Sequence, residues 1–169
     1  MKKIAILLPL TLVLLASGCA NKVHTYSTST ENTLILQGLA KYNKKIKLGE
    51  FNDSGKNEST VMCRLSTPVG TAKDETFASY IGDSLIKELV IANLYDQSNG
   101  NILTANLDDI YGSTTFGNAY WQFNVTINSS SGDSYAVEST YDYESSYLAT
   151  SACSEMQRSF VPAVQKIFA

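Results

Sequence analysis

The sequence predicts a single α+β domain, in which an antiparallel or mixed sheet of about five strands carries two to three helices, mainly on one face. Several segments alternate apolar and polar residues with the period of a strand, and others space apolar residues by three or four, as a helix does. Removing residues 1–18 from a chain of 169 leaves 151, a length that suits one compact domain.

The first 18 residues have the composition of an export signal. Lys2 and Lys3 precede an uncharged, largely apolar run from Ile4 to Ser17, which is the order found in secretory signal peptides. The run is shorter than the roughly 20 residues that a helix needs to cross a bilayer. We therefore expect no permanent transmembrane helix here.

The segment Leu15-Ala16-Ser17-Gly18-Cys19 resembles the lipobox of bacterial lipoproteins. The resemblance implies cleavage before Cys19 and a thioether-linked lipid on its sulfur, although Ala16 stands where that family prefers Leu or another aliphatic residue. Ala20 replaces the Asp that often retains such proteins in the inner membrane, which implies an outer-membrane anchor and a periplasmic domain. The alternative is an ordinary signal peptide that leaves Cys19 a plain thiol.

Residues 19–33 are rich in Ser and Thr and nearly free of apolar side chains, which predicts a linker between the lipid and a domain spanning 34–169. Asn32 or Thr33 is expected to cap a short helix over residues 34–42, which Gly38 weakens.

Two strands are predicted next. Residues 45–51 alternate and end in a turn-forming cluster, and residues 60–65 follow as a second strand that closes at Ser66–Gly70. In that second strand Val61, Cys63 and Leu65 are expected to share one face.

Cys63 and Cys153 remain once Cys19 is assigned to the lipid. An even pair of cysteines in an exported chain is expected to oxidise, so we predict a Cys63–Cys153 disulfide. The bridge would close a loop of about 90 residues and stabilise the fold by about 4.5 kcal/mol in the chain-entropy model. Two unpaired buried thiols are the alternative.

Residues 74–94 carry the clearest helical pattern. Asp74 and Glu75 are expected in the first turn, where the helix dipole favours acids, and Gly82 indicates close packing against another element. The apolar stripe is Phe77, Ile81, Leu85, Leu89 and Ala92.

Three further strands and a helix complete the domain. A strand over 102–111 is expected to align Leu103, Ala105, Leu107 and Tyr111, and strands over 120–127 and 135–143 form a hairpin. The last helix starts at Thr150 or Ser151, and Pro162 is expected to kink it. Its buried stripe is predicted to be Cys153, Met156, Phe160, Val164 and Ile167.

The order of these elements over residues 45–169 resembles small outer-membrane accessory lipoproteins, namely curli-export lipoproteins, lipoprotein activators of peptidoglycan synthases and auxiliary lipoproteins of lipid transporters. The likeness lies in the strand at 46–51 followed by Asn52-Asp53, the helix ending in Asn93-Leu94-Tyr95, and the late hairpin and helix. It implies an assembly or protein-binding role in the envelope, by analogy of fold.

Little in the sequence predicts chemistry. His24 is the only histidine and lies in the predicted linker, so we expect no histidine-based catalytic residues, no metal and no cofactor. Asp108 and Asp109 could join acids of the last strand as paired carboxylates or calcium ligands, and the alternative is a plain solvated strand face. We expect the solvated face, and we expect the protein to have no enzymatic activity. Those acids of the last strand are Glu138, Asp142 and Glu144.

Charge and tyrosine content bear on partners. Without Lys2 and Lys3, the chain keeps 11 basic and 16 acidic residues, a net charge near −5 that disfavours nucleic acid. We expect a non-enzymatic accessory, assembly or adaptor protein with an envelope protein partner; the alternative is a carrier or sensor of a small apolar or glycan ligand. The candidate binding residues are Tyr111, Tyr120, Tyr141 and Tyr143, although core packing explains such tyrosines equally simply.

Overall fold

A computed structural model of the chain describes residues 21–42, 44–56 and 58–169. Within these residues, three helices and seven strands form one α+β domain, which confirms the predicted fold class. The predicted signal and Cys19 lie outside the described residues. The elements are β1 (Asn21–Lys22), α1 (Thr30–Ala40), β2 (Ile46–Asn52), β3 (Thr60–Cys63), β4 (Thr67–Gly70), α2 (Phe77–Ile91), β5 (Asn101–Thr115), β6 (Asn118–Ser129), β7 (Ser134–Tyr143) and α3 (Ala149–Ile167).

The strands form two mixed sheets, where we had expected one sheet of about five strands. The larger has the order β2-β5-β6-β7, with β2 parallel to β5 and the other neighbours antiparallel. The smaller has the order β1-β4-β3, with β1 parallel to β4 and β4 antiparallel to β3.

The core lies between the large sheet and helices α2 and α3. Strand β6 alternates as predicted, so Trp121, Phe123 and Val125 are buried on one face. The Trp121 ring lies 6.4 Å from that of Phe77 in α2 and 5.0 Å from that of Phe160 in α3, measured between centroids. Edge-to-face and tilted aromatic contacts of this kind favour one relative placement of the helices over the sheet.

Two glycines allow the helices to approach the sheet closely. A Cβ on Gly82 of α2 would lie 3.0 Å from Cβ of Phe51, which agrees with the close packing predicted there. A Cβ on Gly112 of β5 would lie 2.3 Å from Cε of Met156 in α3. Side chains at either position would force the layers apart.

The small sheet is fastened to α3 by the predicted disulfide. Cys63, at the end of β3, is bonded to Cys153, and their Cα atoms are 5.6 Å apart. Both cysteines are buried, as is most of the predicted apolar stripe of α3. The bridge therefore joins two elements that are 90 residues apart in sequence.

The second predicted strand ends earlier than expected, and Leu65 does not share a face with Val61 and Cys63. Arg64 and Leu65 have positive φ values of 49° and 61° and form the turn between β3 and β4. Leu65 is consequently 94% exposed. The chain from Thr67 to Gly70, which we expected to be a turn, forms β4.

Both early helices begin at residues other than those predicted. Helix α1 is capped by the side chain of Ser29, and Asn32 lies inside it, buried, with its amide donating to the Gln165 carbonyl at 2.8 Å. Helix α2 is capped by Thr76 through a capping box with Ser79. Asp74 and Glu75 therefore precede α2 and do not lie in its first turn.

A β-bulge changes the face on which Tyr111 lies. The pairing of β5 with β6 shifts register between Leu107 and Asp109, so one extra residue enters β5 and reverses the alternation beyond it. Ala105, Leu107 and Ile110 are buried, whereas Tyr111 is 51% exposed. The predicted alignment of Tyr111 with Leu107 is thus wrong.

Residues 21–29 lie along the domain, where a free linker was expected. Strand β1 pairs with β4, and Tyr26 is buried with its hydroxyl donating to Glu88 Oε1 at 2.6 Å. The backbone N–H of Ser29 donates to the same oxygen at 2.8 Å. The Ser- and Thr-rich composition of this segment predicts a linker, whereas its hydrogen bonds to the domain depend on tertiary contacts that leave no local signal in the sequence.

Candidate functional site

The predicted binding residues lie on both faces of the large sheet. One face is covered by the helices, and the opposite face carries polar side chains. Because successive residues of a strand point to opposite faces, the register assigns each tyrosine to one of them. The polar face includes Thr104, Asn106, Asp109, Gln122, Asn124, Thr126 and Glu138.

Tyr111 and Tyr120 come together on this polar face. Tyr111 pairs with Gln122 and Tyr120 with Ser113, so the two tyrosines are diagonal neighbours on β5 and β6. Their ring centroids are 5.8 Å apart. The bulge in β5 creates this pair, since without it Tyr111 would point into the core. The resulting surface offers two aromatic rings beside amide side chains.

Tyr141 and Tyr143 lie on the other face, against the core. Tyr141 pairs with Trp121, and the Tyr143 hydroxyl donates to the carbonyl of Ser113 at 2.8 Å. Burial raises the pKa of Tyr143 well above its usual value near 10. The four predicted tyrosines therefore do not form one site.

Three of the five carboxylates that are candidates for catalysis or calcium binding each have a separate partner. Asp108 accepts from Thr126 Oγ1 at 2.7 Å, Asp109 forms an ion pair with Lys56 at 3.3 Å, and Glu138 accepts from Gln122. In the part of the chain that the structure describes, no three His, Cys, Asp or Glu side chains are grouped as metal ligands. These acids contribute to a hydrogen-bonded strand surface.

A groove at one end of the domain is a stronger candidate for binding. It has a volume of about 510 Å³ and lies between the end of α1, the start of β2 and the start of β5. Leu39 and Tyr42 form its outer wall and are 50% and 63% exposed. The remaining lining residues are Lys44, Ile46, Leu94, Asn101, Leu103, Ser129 and Ser131.

A second cavity of about 210 Å³ lies beside this groove, between the sheet and the helices. The two share Ile46 and Leu103 as lining residues. Every other residue of the second cavity is apolar: Leu36, Leu48, Phe51, Leu85, Leu89, Ala105, Val125, Ile127, Ile167 and Phe168. A cavity with this apolar lining accepts apolar groups more readily than water.

The groove results from the weakly amphipathic sequence of α1. Leu36 and Ala40 pack against the end of α2, whereas Leu34, Ile35 and Leu39 are exposed. The sequence does show apolar residues around the whole of this short helix. That pattern is typical of a helix with a second apolar partner, and it is the signal in the sequence that indicates the groove.

No protein-family model matches the chain, and no curated protein matches its sequence. Among residues 21–42, 44–56 and 58–169, no helix combines the length and apolar character needed to cross a membrane.

Proposed function

We propose that the protein is a lipid-anchored outer-membrane lipoprotein, that it carries its lipid on Cys19, and that it acts without catalysis as an accessory or adaptor for an envelope protein complex. The lipobox-like segment around Cys19 supports the anchor. The observation that carries the binding role is the apolar groove of about 510 Å³ between α1 and the sheet. Apolar side chains exposed on a wall of a groove are typical of protein-binding sites.

The position of the groove suits such a role. Asn21 pairs with Val69 of β4, near the Arg64–Leu65 turn and the start of α3. The groove lies at the other end of the domain, beside the end of α1 and the start of β5. A chain anchored before Asn21 would hold the groove away from the membrane, where a periplasmic partner can reach it.

Site-specific photocrosslinking tests this role in intact envelopes. A photoreactive amino acid is placed at Tyr42 in the groove or, as a matched control, at Tyr147, an exposed tyrosine at the other end. We expect Tyr42 alone to yield a reproducible protein adduct, and Leu39→Lys in the same chain to abolish it. The absence of a protein adduct at Tyr42, or an equal one at Tyr147, would count against the groove.

A second candidate is a carrier or sensor of a small ligand, because the second cavity is apolar and joins the groove through shared lining residues. Native mass spectrometry of protein extracted from its own membranes would reveal a retained apolar ligand. Leu103→Phe, which fills part of both spaces, should release that ligand. If the ligand were a glycan, the Tyr111–Tyr120 pair would be the expected site, and Tyr111→Ala would reduce binding while Leu103→Phe would not.

A further inference from the structure

Large apolar side chains are exposed at the end of the domain opposite the groove. Four of them come from three separate turns, namely the β3–β4 turn, the β5–β6 turn and the loop that precedes α3, and Met62 comes from the end of β3 beside the first of these turns. A monomeric domain rarely exposes several such residues together unless the surface is used. Their exposed fractions are 94% for Leu65, 80% for Tyr147, 66% for Leu148, 64% for Phe116 and 50% for Met62.

Direct contacts show that the three turns meet. The rings of Phe116 and Tyr147 are edge to face, with centroids 6.1 Å apart. The Arg64 guanidinium donates to the carbonyl of Ser146 at 2.9 Å, which joins the β3–β4 turn to the loop before α3. The Cys63–Cys153 disulfide, which joins β3 to α3, lies directly behind these turns. We refer to Met62, Leu65, Phe116, Tyr147 and Leu148 as the apolar end.

Leu65 is an unusual choice for its position. Its φ is +61°, a left-handed conformation that favours Gly or Asn. The side chain is 94% exposed and so gains nothing by packing within the domain. A leucine that costs backbone energy and buries no surface indicates burial against something outside the chain.

The start of the described chain lies at the same end. Asn21 pairs with Val69, and β4 begins only two residues earlier, directly after the Arg64–Leu65 turn. Because β1 runs parallel to β4, the N-terminal end of β1 lies toward the end of β4 that follows the turn. Cys19 precedes Asn21 by two residues, so their Cα atoms are at most about 7 Å apart.

We propose that the apolar end is a membrane-contact surface, which inserts into the interface of the periplasm-facing leaflet that receives the lipid on Cys19. This inference rests on the lipid anchor proposed above. Leu65, Leu148 and Met62 would lie at the boundary of the acyl chains, and Phe116 and Tyr147 among the headgroups, where aromatic residues are enriched. A tether of two residues would hold this end of the domain against the bilayer. Lipid would then be closer to the exposed apolar side chains than any partner protein.

The apolar end would fix the orientation of the domain relative to the membrane, in addition to helping to anchor it. Strand β5 runs from the groove to the apolar end over 15 residues, a length of roughly 46 Å at 3.3 Å per residue. With the apolar end in the interface, the sheet stands up from the membrane and the groove points into the periplasm. A lipid on a free linker would impose no such orientation.

Fluorescence quenching tests the proposal on the full acylated chain. The protein is reconstituted into vesicles of phosphatidylethanolamine and phosphatidylglycerol, with part of the phosphatidylethanolamine brominated in mid-chain. One variant carries Leu65→Trp and its matched control carries Ser131→Trp, an exposed turn position at the groove end. Trp121 is fully buried in both and provides a shared background.

We expect bromolipid to quench the Leu65→Trp variant several-fold more than the Ser131→Trp variant, and Phe116→Trp, a more conservative reporter, to behave like the former. Flotation separates the two claims. Protein that floats with vesicles but shows equal quenching at positions 65, 116 and 131 overturns the membrane-contact surface alone. Wild-type protein from its own membranes that fails to float overturns the lipid anchor and with it this inference.

Discussion

Glu88 is a fully buried carboxylate that holds the N-terminal segment against helix α2. Its Oε1 accepts from both the Tyr26 hydroxyl and the Ser29 N–H, while its Oε2 has no hydrogen-bond partner among the described residues. A hydrogen bond to a charged group contributes about 1.5–3 kcal/mol to stability. These two bonds therefore explain why residues 21–29 are fastened to the domain.

Replacing Glu88 with Ala should detach that segment. We expect Glu88→Ala to lower the free energy of unfolding in urea by about 2–3 kcal/mol and to make residues 23–28 sensitive to protease in the folded state. Lys87→Ala, at an exposed neighbouring position, is the control and should change neither. Unchanged stability in Glu88→Ala would contradict the role assigned to this carboxylate.

Three tyrosines make the fold sensitive to alkaline pH. Burial raises the pKa of Tyr26, Tyr80 and Tyr143 above the usual value near 10, and the neighbouring Glu88 adds to the shift at Tyr26. Because their folded pKa exceeds the unfolded one, their stabilisation is fully present below pH 10. It is lost as the pH rises from there through the folded pKa.

A spectroscopic titration of the tyrosines checks this predicted loss of stability at alkaline pH. We expect Tyr26, Tyr80 and Tyr143, followed by the absorbance of tyrosinate, to ionise in a late step well above pH 10 that coincides with loss of the near-ultraviolet circular dichroism. Tyr26→Phe should remove part of the late step. Complete ionisation of all tyrosines in a still folded protein would show that the three are accessible.

At the scale of elements, the disulfide is the main covalent constraint on the small sheet. It links the end of β3 to α3 over 90 residues, and in the chain-entropy model a loop of that size stabilises the fold by about 4.5 kcal/mol. Arg64 and Leu65 follow directly after Cys63, so the bridge also holds the turn that forms part of the apolar end.

The double variant Cys63→Ala, Cys153→Ala should therefore be less stable than the oxidised protein by up to about 4.5 kcal/mol. Urea denaturation measures this difference, and the reduced wild-type protein serves as the control. The double variant should also show greater protease cleavage at Leu65 than at the β6–β7 turn. Equal stability of oxidised and reduced protein would mean that packing alone holds the small sheet.

Elements with a strong local pattern were predictable from the sequence, and those decided by tertiary contacts were not. The alternation of apolar residues in β6 and the apolar stripe of α3 indicate directly which face of each element is buried. Strand β4 was not predicted because Pro68 and Gly70 suggest a turn, whereas Gly70 serves a close approach to the Ser59 carbonyl, which a Cβ would meet at 2.1 Å. The bulge at Asp108, which places Tyr111 beside Tyr120, depends on pairing with β6 and leaves no local signal.

At the scale of the whole molecule, exposed apolar residues are concentrated at two opposite ends of the domain. One end carries the groove with Leu39 and Tyr42, and the other is the apolar end near Asn21. Neither surface was predicted, because each combines residues from elements that are distant in sequence. The candidate residues proposed from tyrosine content were instead divided between the two faces of the large sheet.

The lipid on Cys19 is the claim on which the localisation, the orientation and the role of the groove depend. The most direct test is mass analysis of the N-terminal peptide of the protein purified from its own membranes. We predict a mature chain that begins at Cys19 and carries diacylglyceryl on its sulfur, and a Cys19→Ser variant that is no longer retained in the membrane. A chain that begins elsewhere, or an unmodified Cys19 thiol, would contradict the account.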